Sequence, residues 1–410
     1  MILSKIIQII RTGFTIISII WGTAFAATIN VSTVTQLENA VATANSSGGN
    51  TTILMQDGVY TLNDTLYINA PAVTITSQSG NRENVIIQGD AMSSTARVGN
   101  VIRVAASSFK LDGITLQKSR WHLIQIAGER NADNPIIRNC IFRDAYEQML
   151  KVSVGNNPSN PSVSSDNGLV ENCLFEYSAE IGPQYYIGGI DAHGAKNWTV
   201  RNNTFRNIIS PSSAVAEFAI HFWNYSANNT IEKNLIMNCD RGIGFGLAGR
   251  PNNGGVIRNN MIYHTANKGQ FADTAIALTE SPNTQVYNNT IFMKNSFPWA
   301  IEYRFTSTQN VLIANNLTNK PIQSRDGATG TIAKNVTNAT GTWFVNRSSG
   351  DLHLASAVST VVDMGQVISG LSDDFDGQNR PQGMGIDIGA DEHASNLSLQ
   401  PPANLRIVTP

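Results

Sequence analysis

Five residues in this chain stand in a pattern suited to proton transfer: Lys151, Asp191, His193, His221 and Arg304. Each follows an aliphatic residue that opens a short apolar stretch: Leu150-Lys151, Ile190-Asp191-Ala192-His193, Ile220-His221-Phe222-Trp223 and Ile301-Glu302-Tyr303-Arg304. Side chains alternate faces along a strand, so the first and third residues after the aliphatic anchor share one face and the second faces the other way. If successive strands stack in parallel, Lys151, Asp191 and His221 form a row with steps of about 4.8 Å, flanked by His193 and Trp223. The next stretch, Ile243-Gly244-Phe245-Gly246, presents two glycines and predicts an opening there. Glu302 and Arg304 stand a few strands further on.

Such a row can bind and deprotonate a sugar acid. Lysine, arginine and protonated histidine bind and polarise a carboxylate, and Trp223 offers a ring for a pyranose face. Lys151 or His221 can remove the proton α to that carboxylate, with Asp191 orienting both and Arg304 neutralising charge nearby. Loss of the 4-O substituent then completes a β-elimination. Trp223, Gly244, Gly246 and Glu302 are the candidate substrate contacts. Hydrolysis needs two carboxylates across the bond instead, and Asp191 with Glu217, Asp240 or Glu302 keeps that reading open. Asp191, His193 and His221 also form a set that zinc can use, although Lys151 beside them favours an organic anion. Glu147, Glu217, Asp240 and Asp273, three places before their anchors, are either calcium ligands or solvated loop carboxylates. The remaining histidines, His122, His264, His353 and His393, lie away from the row.

The elements that must position this row are repeats. Ile137-Arg138-Asn139-Cys140-Ile141-Phe142 recurs as Val170-Glu171-Asn172-Cys173-Leu174-Phe175 and in six further copies. The fourth positions, 140, 173, 203, 234, 260, 289, 316 and 335, are separated by 33, 30, 31, 26, 29, 27 and 19 residues. Short β-branched stretches, Asn-rich turns and variable spacing around a fixed motif predict an all-β parallel β-helix, whose loops differ while its strands stack. Asn suits the bends because it tolerates the left-handed region, and stacked Asn amides can bond from coil to coil. Cys140 and Cys173 open the same column, within reach of a disulfide but favoured as a buried thiol stack; Cys239 is expected to be buried and inert. Thr35 to Asn45 is the one good amphipathic helix, with Leu37, Ala40, Val41 and Ala44 on one face, and should cap the first coil. Residues 27–392 form the β-helix domain, about 345–392 a closing segment at its far end, and 393–410 a tail or linker.

Among 410 residues, 28 basic and 30 acidic side chains leave a net charge of −2, and charged residues make up 14%. That balance excludes a polycationic nucleic-acid binder and supplies no basic field for an anionic membrane. Residues 1–26 carry Lys5 and Arg11, an apolar run and Ala24-Phe25-Ala26, the pattern of a cleaved secretory leader. A secreted monomer with an acidic polysaccharide as partner is expected.

The repeat, the helix followed by Gln56-Asp57-Gly58-Val59-Tyr60 and the leader resemble the right-handed parallel β-helix proteins of the pectate-lyase-like superfamily. The look is most similar to the chondroitinase B and alginate lyase group. The resemblance covers roughly residues 28–392 and implies uronate cleavage by a lysine and an arginine, with Ca²⁺ neutralising the carboxylate. Lys151 matches the lysine, and Arg304 is the weaker match to the arginine. The Gly-His-Gly of polygalacturonases and the Arg-x-Pro-x-x-Arg of pectate lyases are missing. Uronate epimerase, glycoside hydrolase and non-catalytic carbohydrate-binding solenoid are the rival readings, because fold alone does not license an activity.

Overall fold

The structure, a computed structural model, describes residues 27–155 and 163–393. The expected leader, and the expected tail beyond His393, lie outside the described residues. The chain winds as a solenoid of three long parallel sheets with 12, 10 and 10 strands. A typical coil contributes Leu169–Glu171 to the first sheet, Leu174–Glu176 to the second and Gly188–His193 to the third. This is the parallel β-helix that the repeat predicts.

The motif marks the corner between the first two sheets, and its two Asn positions do different work. The third residue, Asn139, Asn172, Asn202, Lys233, Asn259, Asn288, Asn315 or Lys334, has φ between 52° and 55° in every copy. Here the chain needs a residue that tolerates the left-handed region, and its side chain faces outward. The fourth residue turns inward and builds the ladder. The Oδ1 of Asn260 accepts both the main-chain N–H and the amide of Asn234 at 3.0 Å, and Asn289 does the same for Asn260 at 3.1 and 2.9 Å. Cys140 and Cys173 begin this column as free buried thiols, and Cys173 N–H donates to Asn203 Oδ1 at 2.8 Å. Buried Cys239 has its thiol pushed up to about 12 by desolvation.

The helix spans Val34–Ser46, capped by Thr33, and buries Leu37, Ala40, Val41 and Ala44 as expected. The closing segment departs from expectation. It does not cover the last coil but runs back along the flank of earlier ones. Asn259, Asn288 and Asn315 donate their outward amides to the carbonyls of Asp373, Asp387 and Gln366 at 2.9, 2.9 and 2.8 Å. The reason lies on the outer face of the second sheet. One column there reads Arg143, Glu176, Arg206 and then Met237, Tyr263, Phe292. Its charged half pairs in place, Arg143 and Arg206 gripping Glu176 at 2.7 and 2.5 Å. The apolar half needs cover, and Phe344, Leu352, Leu354 and Ile388 supply it.

Candidate functional site

Four neighbouring strands of the third sheet, Gln148–Ser153, Gly188–His193, Phe218–Trp223 and Arg241–Phe245, carry the row. Their register pairs Lys151 with Asp191, Asp191 with His221, His221 with Gly244, and His193 with Trp223, as the anchor alignment predicts. The residues between them, Val152, Ala192, Phe222 and Phe245, face the core and are fully buried.

Asp191 is the centre of the cluster. Its Oδ2 takes the Lys151 ammonium and its Oδ1 accepts Trp223 Nε1–H at 2.6 Å. Burial alone would raise its carboxyl, but the Lys151 charge holds it well below the usual carboxylate range. Lys151 also reaches His193 Nε2 at 2.9 Å. Burial lowers the His193 pKa, against the pull of Asp191, and favours the neutral ring. An ammonium only donates, so Nε2 must accept and the ring proton sits on Nδ1. Asn224 Nδ2 lies 3.0 Å from Nδ1 while Asn224 Oδ1 is buried without a partner among the described residues; with the ring proton on Nδ1 the amide is turned over, so that its oxygen accepts that N–H.

His221 stands in the row but not at its surface. It is 2% exposed, and its ring lies parallel to Trp223 at 5.2 Å and against Phe218 at 4.8 Å. Nε2–H donates to the Gly246 carbonyl at 3.1 Å, which leaves Nδ1 as a buried lone pair 3.9 Å from Glu217. Desolvation lowers its pKa to about 4. A substrate proton cannot reach this ring, so the expectation that His221 serves as a base is corrected to a supporting role under Trp223. Trp223 is itself engaged by His221, by His193 at 4.3 Å and by the Arg250 guanidinium at 5.2 Å.

The glycines do not form an opening. A Cβ on Gly244 would stand 2.7 Å from the Phe218 ring, which fills that space. Gly246 takes φ +74° at a turn and lends its carbonyl to His221. Arg304 and Glu302 are in the same sheet but three strands beyond His221, about 14 Å at the usual strand spacing. Arg304 pairs with Asp326 and Glu302 with Arg325, each at 2.7 Å. The structure does not bring them to the cluster; Arg250 is the guanidinium that stands there.

Besides Arg250, three residues at the site escaped the strand alignment. His122 bonds the Gln148 carbonyl at 2.9 Å, and burial together with the Lys151 charge lowers its pKa to about 4. Tyr186, 39% exposed on the loop before Gly188, stands in the field of Lys151, Asp191 and Glu217, its phenol pushed up by burial. The Gln148 amide is buried beside them, without a hydrogen-bond partner among the described residues. Burial raises the carboxyls of Glu147 and Glu217 at the same edge. Asp240 is tied to the N–H groups of Ser210 and Ala216, and Asp273 faces Arg241. Among the described residues, neither the Asp191-His193-His221 set nor these four acids bring three ligand atoms together.

Residues 162–354 match a family model described as "Right handed beta helix region". No curated protein matches the sequence. Similar solved structures include an alginate lyase from Paenibacillus sp. str. FPU-7, 13% identical, covering 67% of this chain and 99% of that one with a TM-score of 0.45. A mannuronic acid specific polysaccharide family 6 lyase from human gut microbiota is 13% identical, covering 75% and 80% with a TM-score of 0.49. A pectin methylesterase from Erwinia chrysanthemi is 12% identical, covering 67% and 81% with a TM-score of 0.36. With the three parallel sheets and the family-model match, the solenoid is the right-handed parallel β-helix that the resemblance implied. No helix among the described residues is long and apolar enough to cross a membrane.

Proposed function

We propose that this chain is a secreted polysaccharide-active enzyme that cleaves a uronic-acid polymer by β-elimination at the Lys151–Asp191–His193 cluster. The observation that carries the reading is the contact between the Lys151 ammonium and the bare Nε2 of a neutral His193, at 2.9 Å and at the outer face of the sheet. An ammonium beside an unprotonated imidazole is the pair that deprotonation next to a carboxylate needs.

In this reaction Lys151, tethered by Asp191, turns to the uronate carboxylate and stabilises the charge that builds on it. His193 Nε2, released from Lys151, takes the C5 proton. The C5–H electron pair becomes the C4=C5 double bond, the C4–O4 bond breaks, and the departing oxygen takes a proton from the Tyr186 phenol. Asp191 does not enter the bond changes. It fixes Lys151 and, through Trp223, the floor beneath it.

The test is incubation with alginate, polygalacturonate and chondroitin sulfate while following the ultraviolet absorbance of the new double bond. Growth of that absorbance, lost in Lys151→Ala and His193→Ala, is the expected result. Shortened chains without it would establish a hydrolase, unchanged chains with altered uronate stereochemistry an epimerase, and binding without product a carbohydrate-binding solenoid.

A further inference from the structure

Beyond Lys151 the outward column continues towards the N-terminal end of the third sheet. Strands Ile124–Ala127, Ile102–Val104 and Leu66–Ile68 follow in that order. Their register sets Gln125 opposite Lys151, Arg103 opposite Gln125 and Tyr67 opposite Arg103. The column differs in its two directions. Past Asp191 it is closed: His221, Ala277 and Glu302 are 2, 4 and 6% exposed, and the Phe218 ring fills the space at Gly244. Towards the N-terminus it opens, and Tyr67 at the end of the sheet is 45% exposed.

The open half has donors to spare and an aromatic wall. Arg103 gives an Nη2–H to Glu129 at 2.7 Å, and its Nε and Nη1 donors have no partner among the described residues. Glu129 also accepts Ser153 Oγ–H at 2.7 Å, which holds the pair beside the column. Gln125 is tied between Asn100 and Ser153 at 2.8 and 3.1 Å and forms the floor between Arg103 and Lys151. Trp121, on the loop that enters Ile124–Ala127, is 44% exposed. Its N–H donates to the Gly99 carbonyl at 2.9 Å, and its ring lies across Gly99, where a Cβ would stand 2.7 Å away. Only a residue without a side chain lets the indole lie back over the Arg103 coil. Arg120 stands 5.3 Å from the centre of that ring.

We propose that Arg103, Tyr67 and Trp121 form outer subsites for the acidic polysaccharide, which runs from Lys151 towards the N-terminal end of the solenoid, with Arg103 on a second uronate carboxylate. The inference rests on the reading of Lys151 as the contact for the first carboxylate. Arg103 is two strands from Lys151, about 9.6 Å at the usual spacing, the length of about two pyranose units in an extended chain. In a twofold extended chain alternate residues face the same way. Lys151 and Arg103 then meet the carboxylates of a uronate and of its next-but-one neighbour. The guanidinium fork matches a carboxylate in a way that a lone ammonium does not. Tyr67 and Trp121 offer ring faces to the apolar C–H faces of the sugars, with their own polar tips towards water.

The test is calorimetric binding of a uronate hexasaccharide to the His193→Ala chain, which by the proposed mechanism keeps the Lys151 contact and cannot cut. Adding Arg103→Ala should weaken binding about tenfold or more, the loss of a hydrogen-bonded charge contact. Tyr67→Ala and Trp121→Ala should each weaken it about threefold. A carboxyl-reduced hexasaccharide should bind alike with and without Arg103, because the guanidinium then has no anion to meet. Tyr67 lies at the open end of the sheet, so its variant carries the test if Arg103→Ala does not fold. Hexasaccharide affinity unchanged in these variants, or an Arg103→Ala loss just as large for the carboxyl-reduced chain, would overturn the subsites. Cleavage by the wild type with binding indifferent to Arg103 and Tyr67 refutes this inference and leaves the lyase reading standing. Binding that depends on Arg103, with no unsaturated product from the wild type, refutes the lyase reading and leaves the subsites standing.

Discussion

Asp191→Asn removes one charge from the cluster and keeps its shape. In the native chain the buried carboxylate compensates Lys151, whose side chain is 12% exposed, and accepts Trp223 Nε1–H. The Asn oxygen can keep the Trp223 bond, so the loss falls on Lys151, left as an ammonium without its counter-ion. Breaking one side of a buried pair costs about 3–5 kcal/mol, and the retained bond places this variant near about 3 kcal/mol. For a chain of this length about 2 °C of melting temperature accompanies each kcal/mol, so a drop of roughly 5 °C is expected. The assay is a double-mutant cycle with Lys151→Met, read by calorimetry. If the pair is the interaction at stake, the double variant is more stable than the sum of the single losses predicts, by at least about 1.5 kcal/mol. Turnover on a uronate polymer should fall at least tenfold in Asp191→Asn, because the released Lys151 no longer stands at the carboxylate. Additive single losses would refute the argument, since they would mean that Asp191 holds its place without Lys151.

Asn289→Ala should cost about 3 kcal/mol, because it strips partners from the buried Asn260 amide and main chain and from the carbonyl of Ile257. A urea midpoint within error of wild type would show that the ladder is dispensable. His221 and His264 are buried with pKa values lowered to about 4. Since an unfolded histidine takes its proton near pH 6.5, the unfolded state gains protons first as the pH falls, and stability drops between about pH 6.5 and 4. Each contributes about 2 kcal/mol at pH 4.5, and denaturation of His264→Gln at pH 7 and 4.5 should show a smaller acid loss than wild type. Arg304→Ala should leave kcat and KM within about twofold and stability within about 1 kcal/mol, since its partner Asp326 lies near the surface. A tenfold loss of activity would put the substrate further along the sheet than the cluster does.

The parts of this molecule that repeat were legible in its sequence, and the parts that depend on loops were not. A fixed motif at variable spacing could only stack one way, so the coil, the corner and the register of Lys151, Asp191 and His221 followed from alternation. What alternation cannot show is depth. A residue that faces outward from a strand is still buried when a loop folds over it, and His221 is covered by Trp223, Phe218 and the turn at Gly246. Loops also brought in what the columns lacked: Tyr186 and Arg250 both come from segments outside the alignment. One signal was present and unread. The change from Arg143, Glu176 and Arg206 to Met237, Tyr263 and Phe292 along one outer column announces that something covers the later coils.

The scarcity of charge then acquires a spatial meaning. On the first sheet an outer column alternates Asp112, Arg138, Glu171, Arg201, Glu232 and Arg258, each opposite its neighbour in the next coil. Arg138, Arg201 and Arg258 meet acids at 2.8, 2.8 and 2.7 Å. Charges spent in such ladders cancel in pairs and leave no field to steer a ligand. Lys151, His193 and Asp191 differ because one member, the imidazole, is neutral and holds a lone pair against a cation. That asymmetry, more than the presence of ionisable groups, distinguishes the third sheet from the first and makes it the face on which chemistry is expected.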